Sequence, residues 1–287
     1  ITKQVDVTCE TPPQPRQIRL DCTTNCNAQC VTCHRFISNR KGEMSIEMIM
    51  SILTDVSQWV KPLTEIIPVN YGELFLRNEW YFILNLIANR LPKTQIVIPT
   101  NGFLLTDSAI DQLCHIPNVK IINFSINGFF EDTYELFMSL PASNIKNIVH
   151  AMRRFKAGRP DIILWASMVF DPMYHTDYER DAFVEFWRKY ANQAWILTNS
   201  NAGRRNGARP DTPVKVPCRS IFSDMVIGYD GKLSSCCFDP AFDAYDIGYY
   251  TGNIRLDWNN LKFQEFRKIH NEHRRMEIPK CRICTSA

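Results

Sequence analysis

Apolar, β-rich runs alternate with amphipathic segments from about residue 17 to residue 200. That alternation predicts a parallel α/β sheet. The strand candidates are Gln17-Ile18-Arg19-Leu20-Asp21, Ile66-Ile67-Pro68-Val69-Asn70, Ile96-Val97-Ile98-Pro99, Val119 to Ser125, Ile162 to Val169 and Ala194-Trp195-Ile196-Leu197. Six strands imply a partial (β/α)6 TIM-like barrel. Between them, apolar residues recur at three- and four-residue steps. The clearest stripes are Ile46, Ile49, Met50 and Leu53 after the cap candidate Ser45, then Ile145, Ile148, Val149, Met152 and Phe155, then Phe183, Phe186 and Trp187. Such stripes are the core faces of helices. In parallel α/β architectures the loops after strand C-termini form the ligand-binding face.

The rhythm ends in the polar stretch Ser200 to Asp211, rich in Gly, Asn and Arg, which reads as a connector. Short β-like pieces and clustered cysteines follow, as in a small metal-stabilised module. The expected organisation is an N-terminal lead-in (1–16) containing Pro12-Pro13-Gln14-Pro15, the barrel (17–200), the connector (201–211) and a cysteine-rich α/β tail (212–287). With so little chain before the first strand, no leader-binding domain is expected there, although a chain opening on Ile1 leaves an upstream segment open.

With 45% apolar residues the 287-residue chain has ample material for a core, and its net charge of +3 is mixed along its length. The densest basic pairs, Arg153-Arg154, Arg204-Arg205 and Arg274-Arg275, read as solvated surface, so no nucleic-acid partner is expected. No signal peptide and no membrane-length apolar run is evident. Of eleven cysteines, Cys9, Cys22 and Cys114 are isolated and the other eight fall into groups. Metal-like spacing in a chain of enzyme size favours a reducing, cytoplasmic setting over disulfides.

The first group is Cys26-Asn27-Ala28-Gln29-Cys30-Val31-Thr32-Cys33. Three thiolates so spaced can take three corners of a cubane iron-sulfur cluster and leave one iron without a protein ligand. Cys30-Val31-Thr32-Cys33-His34 also fits the C-x-x-C-H of covalent haem attachment, and three cysteines with His34 could form a zinc site. Haem leaves Cys26 unused. Zinc asks the adjacent Cys33 and His34 to converge on one ion.

The triad resembles the C-x-x-x-C-x-x-C signature of the radical S-adenosylmethionine (SAM) superfamily. The resemblance implies that SAM chelates the open iron of a 4Fe-4S cluster and is reductively split to a 5'-deoxyadenosyl radical, which abstracts hydrogen from an unactivated C–H bond. The second strand ends in Asn70-Tyr71-Gly72-Glu73-Leu74, where the family usually carries a Gly-Gly-Glu-Pro-like segment. Gly72 is then expected to let backbone approach the ligand, and Glu73 to pair with the methionine ammonium. Thr100-Asn101-Gly102 and Ser125-Ile126-Asn127-Gly128 look like the next two segments of the same pocket. By that resemblance Thr100, Asn101, Ser125 and Asn127 line the SAM site, with Ser167 of the fifth strand. Thr32 stands before the last cysteine, where an aromatic residue is common.

Downstream, Cys218, the hairpin Gly231-Lys232-Leu233-Ser234-Ser235-Cys236 and the terminal Cys281-Arg282-Ile283-Cys284 resemble the SPASM or Twitch extension of such enzymes. Gly252-Asn253-Ile254 matches an element that follows the hairpin there. The resemblance implies that Cys218, Cys236, Cys281 and Cys284 hold one auxiliary 4Fe-4S cluster, two clusters in all. A four-cysteine zinc knuckle has the same ligand count. Cys237 is left over, as a buried structural thiol or a hydrogen-atom donor. Enzymes with such tails mostly modify peptides by epimerisation, crosslinking, excision or oxidation, and a smaller set dehydrogenates aminocyclitols. The expected partners are a peptide or small-molecule substrate, an external one-electron reductant such as flavodoxin or ferredoxin, and a separate leader-recognition protein. A non-catalytic metal scaffold is the remaining alternative.

Overall fold

The computed structural model describes residues 10–198, 217–282 and 284. Cys9, Arg204-Arg205 and the connector at 201–211 lie outside the described residues. Six strands form where apolar runs predict them: β1 (Gln17–Leu20), β2 (Glu65–Ile67), β3 (Gln95–Thr100), β4 (Val119–Ser125), β5 (Ile163–Phe170) and β6 (Gln193–Thr198). β2 stops short of the expected Asn70 because Pro68 has no N–H to continue the ladder. All six are parallel, in the order β6-β5-β4-β3-β2-β1.

The intervening helices are α1 (Ile46–Ser57), α2 (Trp80–Arg90), α3 (Asp107–Cys114), α4 (Glu131–Met138), α5 (Asn144–Gly158) and α6 (Asp177–Trp187). Ser45 caps α1 by accepting from the Met48 amide, and Thr106 and Thr176 do the same for α3 and α6. α1 buries Ile49, Ile52, Leu53 and Val56. Met50, expected on that stripe, is 40% exposed, since one residue past Ile49 is about 100° around the helix and off the buried row. α5 buries Ile148, Met152 and Phe155, with Ile145 and Val149 at the edge of the core.

Past the connector the sheet continues. β7 (Asp224–Ile227), following the short helix α7 (Ser220–Ser223), lies parallel to β1, and β8 (Leu233–Ser234) pairs antiparallel to β7. The cysteine-rich tail therefore begins as an extension of the barrel sheet at its β1 edge. Beyond β8 lie α8 (Ile254–Trp258), α9 (Leu261–Asn271) and α10 (Pro279–Arg282). The Ile254 amide donates to Asp55 of α1 at 2.7 Å, and Trp258 Nε1 donates to the Pro12 carbonyl at 2.8 Å. The lead-in is thus tied to the tail. All ten cysteines among the described residues are free thiols. No helix among them is long and apolar enough to cross a membrane.

Strand alternation divides the barrel into two faces. Ile18 and Leu20 are fully buried in the main core cluster, whereas Gln17 and Arg19 are half-buried on the opposite face. Ile67, Val97 and Ile121, with Trp165 against them, make a separate small apolar layer.

One buried arginine fixes the end of β1 relative to α1. Arg77 donates through Nη1 to the carbonyls of Cys22 at 2.6 Å and Met44 at 2.7 Å. Arg77→Leu leaves the Met44 carbonyl without its donor and the Cys22 carbonyl with the Met44 amide alone, which should cost about 1–3 kcal/mol. A fall in Tm and in chemical-denaturation midpoint is expected; an unchanged midpoint would show that these carbonyls find other partners.

Candidate active site

The cysteine loop leaves β1 with almost no regular structure, so its backbone must find partners on neighbouring elements. Thr24 exchanges bonds with Gly42, the amides of Gln29 and Val31 donate to the Met138 and Phe137 carbonyls at the end of α4, and Asn25 accepts from the Glu73 amide at 2.7 Å. Gly72 permits the last of these contacts. A Cβ there would run into the Thr23 carbonyl oxygen and lie 2.9 Å from that of Asn25. The close approach made by Gly72 is therefore to the chain's own cysteine loop.

These constraints place Cys26, Cys30 and Cys33 on one cavity of about 490 Å³ at the C-terminal ends of the strands. Gly72, Glu73, Thr100, Asn101, Ser125 and Asn127 line the same cavity. Ser167 does not: it is buried in the sheet, its Oγ donating to the Phe124 carbonyl at 3.3 Å. Cys237 does line the cavity.

Burial pushes the Cys30 thiol up to about 12 and the Cys26 thiol up to about 11, and the neighbouring thiols of the triad add to both shifts. Crowded, desolvated thiols such as Cys26 and Cys30 ionise together readily when a metal supplies positive charge. Among the described residues no three His, Cys, Asp or Glu side chains converge on a single metal ion.

Glu73 is 1% exposed. Its carboxylate accepts from Thr100 Oγ1 at 3.0 and 3.1 Å and from the Asn101 amide at 2.8 Å. Burial still raises its pKa to about 7, because these neutral donors offset only part of the desolvation and no cation is among its partners. A buried carboxylate facing a cavity without a counter-ion suits an incoming ammonium group. Asn101 reaches the triad loop through Nδ2, 2.8 Å from Asn27 Oδ1. Asn127, at φ 28°, gives its Oδ1 to the Val169 amide at 2.9 Å and its Nδ2 to the Met138 sulfur, which leaves one oxygen lone pair for a ligand.

The cavity is also lined by Arg19, Asn70, Met138 and Phe238, to which motif reading gave no role, and by His34, weighed there only as a haem or zinc ligand. His34 meets Tyr71 and Phe238 edge-on, forming an aromatic wall beside Thr32. A charged residue alternating with buried aliphatics in β1 was the one sequence signal for Arg19.

In the tail, burial raises the Cys218 and Cys236 thiols, with Cys284 acting on the first and Cys218 on the second. The Cys284 amide donates to the Cys281 carbonyl at 3.3 Å. Lys280 pairs with Asp239 at 3.4 Å and with Asp243, drawing α10 to the loop after Cys236. His270 Nδ1 accepts from the Cys218 amide at 3.2 Å, and burial lowers its pKa to about 4, so it stays neutral. The four predicted auxiliary ligands therefore belong to segments held together by direct contacts.

A model of the Radical SAM superfamily matches residues 20–184, and one of an iron-sulfur cluster-binding domain, SPASM, matches residues 218–285. The chain belongs to the radical SAM superfamily and is an enzyme of that class, with 4Fe-4S clusters and SAM as cofactors. It is 20% identical over 277 residues to the S-adenosyl-L-methionine-dependent 2-deoxy-scyllo-inosamine dehydrogenase of Niallia circulans, covering 94% of this chain and 92% of that protein. An AdoMet-dependent heme synthase of Methanosarcina barkeri is 26% identical over 131 residues, 45% of this chain and only 36% of the relative's length. Among solved structures, BtrN in complex with AdoMet and 2-DOIA superposes with TM-score 0.69 at 18% identity, covering 98% of this chain and 95% of BtrN. Streptococcus suis SuiB bound to precursor peptide SuiA gives 0.71 at 10% identity, over 90% of this chain and 67% of SuiB.

Gly72→Ala should push the Glu73 segment off the cysteine loop, lowering both Tm and the iron retained after anaerobic reconstitution; full iron content at unchanged Tm would refute the close approach. The raised pKa of Glu73 carries a sign. Its folded state holds a proton more tightly than the unfolded chain, so its contribution to stability falls as pH rises from about 4.5 to about 7. Ammonium binding needs the ionised form. SAM affinity measured by equilibrium dialysis should therefore rise between about pH 6 and about pH 8, and Glu73→Gln should flatten the profile.

Proposed function

We propose that Cys26, Cys30 and Cys33 hold the SAM-binding 4Fe-4S cluster, that Cys218, Cys236, Cys281 and Cys284 hold an auxiliary one, and that the enzyme acts on a peptide or protein substrate. The carrying observation is the convergence of the three triad cysteines and the counter-ion-free Glu73 carboxylate on one cavity. When bound, SAM on its cluster supplies a carbon radical that takes hydrogen from an unactivated C–H bond, and the auxiliary cluster supplies a one-electron acceptor. In this reading Glu73 holds the methionine ammonium, with Thr100 and Asn101 orienting its carboxylate. Ser125 and Asn127 offer polar atoms to the ribose. His34, Tyr71 and Phe238 exclude water along one wall.

Cys237 faces the cavity, and burial raises its pKa, so its sulfur keeps a hydrogen at neutral pH. That hydrogen is available to a substrate carbon, the donor an epimerisation needs. Apolar side chains at the same end of the barrel support a peptide: Phe103, Phe130 and Met173 are exposed on the connections after β3, β4 and β5, and Tyr178 at the start of α6 stacks on Phe130. The peptide-bound SuiB fold is also consistent with it.

A second reading, dehydrogenation of a small aminocyclitol or sugar-like metabolite, is favoured by the end-to-end similarity to the Niallia circulans dehydrogenase. Anaerobic reconstitution tests the shared core of both. Brown protein with about eight irons for two 4Fe-4S clusters, releasing 5'-deoxyadenosine from SAM with dithionite, is expected. Cys33→Ala should abolish that release, and Cys281→Ala should about halve the iron content while the first cluster's spectrum persists. Colourless, zinc-filled protein would instead identify a scaffold. Substrate-stimulated release by peptides, against polyols, separates the two readings.

A further inference from the structure

Arg19 enters the cavity from the middle of β1, on the strand face opposite Ile18 and Leu20. Its Nε donates to Gln17 Oε1 at 3.2 Å, and among the described residues its two terminal nitrogens have no protein acceptor. The Glu65 and Asp224 carboxylates act on it from a distance, since both feel its charge, yet neither comes within ion-pair range. Glu65 is bonded to Gln17 instead, and Asp224 to Ser223. Arg19 thus brings to the cavity lining a guanidinium whose terminal nitrogens have no acceptor among the described residues.

A second donor lines the same space. Asn70, just past β2 and beside β1 in the sheet, has a buried Nδ2 with no hydrogen-bond partner. A charged fork and an unsatisfied amide on adjacent strands form an arrangement that an oxyanion satisfies. Two nearby carboxylates reduce the local positive potential, so a singly charged anion suits the pair better than a dianionic phosphate. The charge of Arg19 also acts on Cys237, which lines the same cavity.

We infer that Arg19 and Asn70 form the substrate-recognition subsite, binding a carboxylate of the substrate next to Cys237. This rests on the proposed site and narrows its substrate class: a carboxylate-bearing molecule, such as a peptide segment with an acidic side chain, in preference to a cationic aminocyclitol that Arg19 would repel. The other source of a carboxylate in this cavity is the methionine end of SAM.

The test uses the anaerobically reconstituted, SAM-loaded enzyme and two near-isosteric probes, N-acetylglutamate α-amide and N-acetylglutamine α-amide, followed by titration calorimetry. The carboxylate probe should bind about tenfold more tightly than its neutral counterpart, about the strength of one charge-assisted pair. Arg19→Gln should remove that preference. Asn70→Asp, which sets a second carboxylate against the anion, should remove it with Arg19 intact and serves where Arg19→Gln loses its clusters. Equal binding of both probes, no binding of either, or a preference that survives both substitutions overturns the subsite. So does a fall in SAM affinity in place of lost probe preference, which assigns the pair to the methionine carboxylate. Release of 5'-deoxyadenosine without substrate, read in parallel on the wild type, reports on the proposed chemistry separately from the probes.

Discussion

The backbone of the cysteine loop is held from outside itself, and the rest of the site follows from that. A stretch carrying three ligands in eight residues, Cys26 to Cys33, cannot satisfy its amides with a helix or strand of its own. It and the residues leading into it borrow carbonyls from the end of α4 and a turn at Gly42, and the Asn25 carbonyl takes the Glu73 amide from the segment after β2. The bare Cα of Gly72 lets that last segment close on Thr23 and Asn25, which sets Glu73 beside the triad. Without these contacts the thiols and the carboxylate would not share a cavity.

Desolvation then sets the character of each group. The Cys26 and Cys30 thiols are pushed up by burial and by neighbouring triad thiols, a state relieved by metal. Glu73 is pushed up by burial alone, a state relieved by a cation. Arg19 is the reverse case, a cation lining the same cavity whose terminal nitrogens have no acceptor among the described residues. In the proposed reading these groups, each electrostatically incomplete, await cluster, cofactor and substrate anion in turn. Neutral His270 and the Lys280 contacts with Asp239 and Asp243 do comparable work in the tail, gathering the segments that carry the second set of thiols.

Much of this was legible in the residues. Apolar runs located all six barrel strands, because a parallel strand buried on both faces must be nearly continuous in Val, Ile and Leu. Cysteine spacing marked both groups of thiols, since a ligand set within a short loop is a local property of the chain. Ser45, Thr106 and Thr176 cap helices through contacts spanning three residues, which are equally local. Less legible were Met50, rotated off its predicted stripe, and Ser167, whose position within a candidate strand did not reveal that its hydroxyl turns to the Phe124 carbonyl.

The sequence by itself determined the element order, the ligand-bearing loops and the chemical kind of each ligand, because periodicity and short-range spacing are carried by neighbouring residues. Only the tertiary structure decided that β7 would pair with β1, so that Cys237 and Phe238 from the tail reach the cavity of the triad. It alone brought Arg19 and Asn70 to the lining of one cavity. Those meetings join residues far apart in the chain, and they depend on strand order and on which side of the sheet a side chain faces. Both are settled when the barrel buries its apolar face against the helices, a condition met by the whole chain at once.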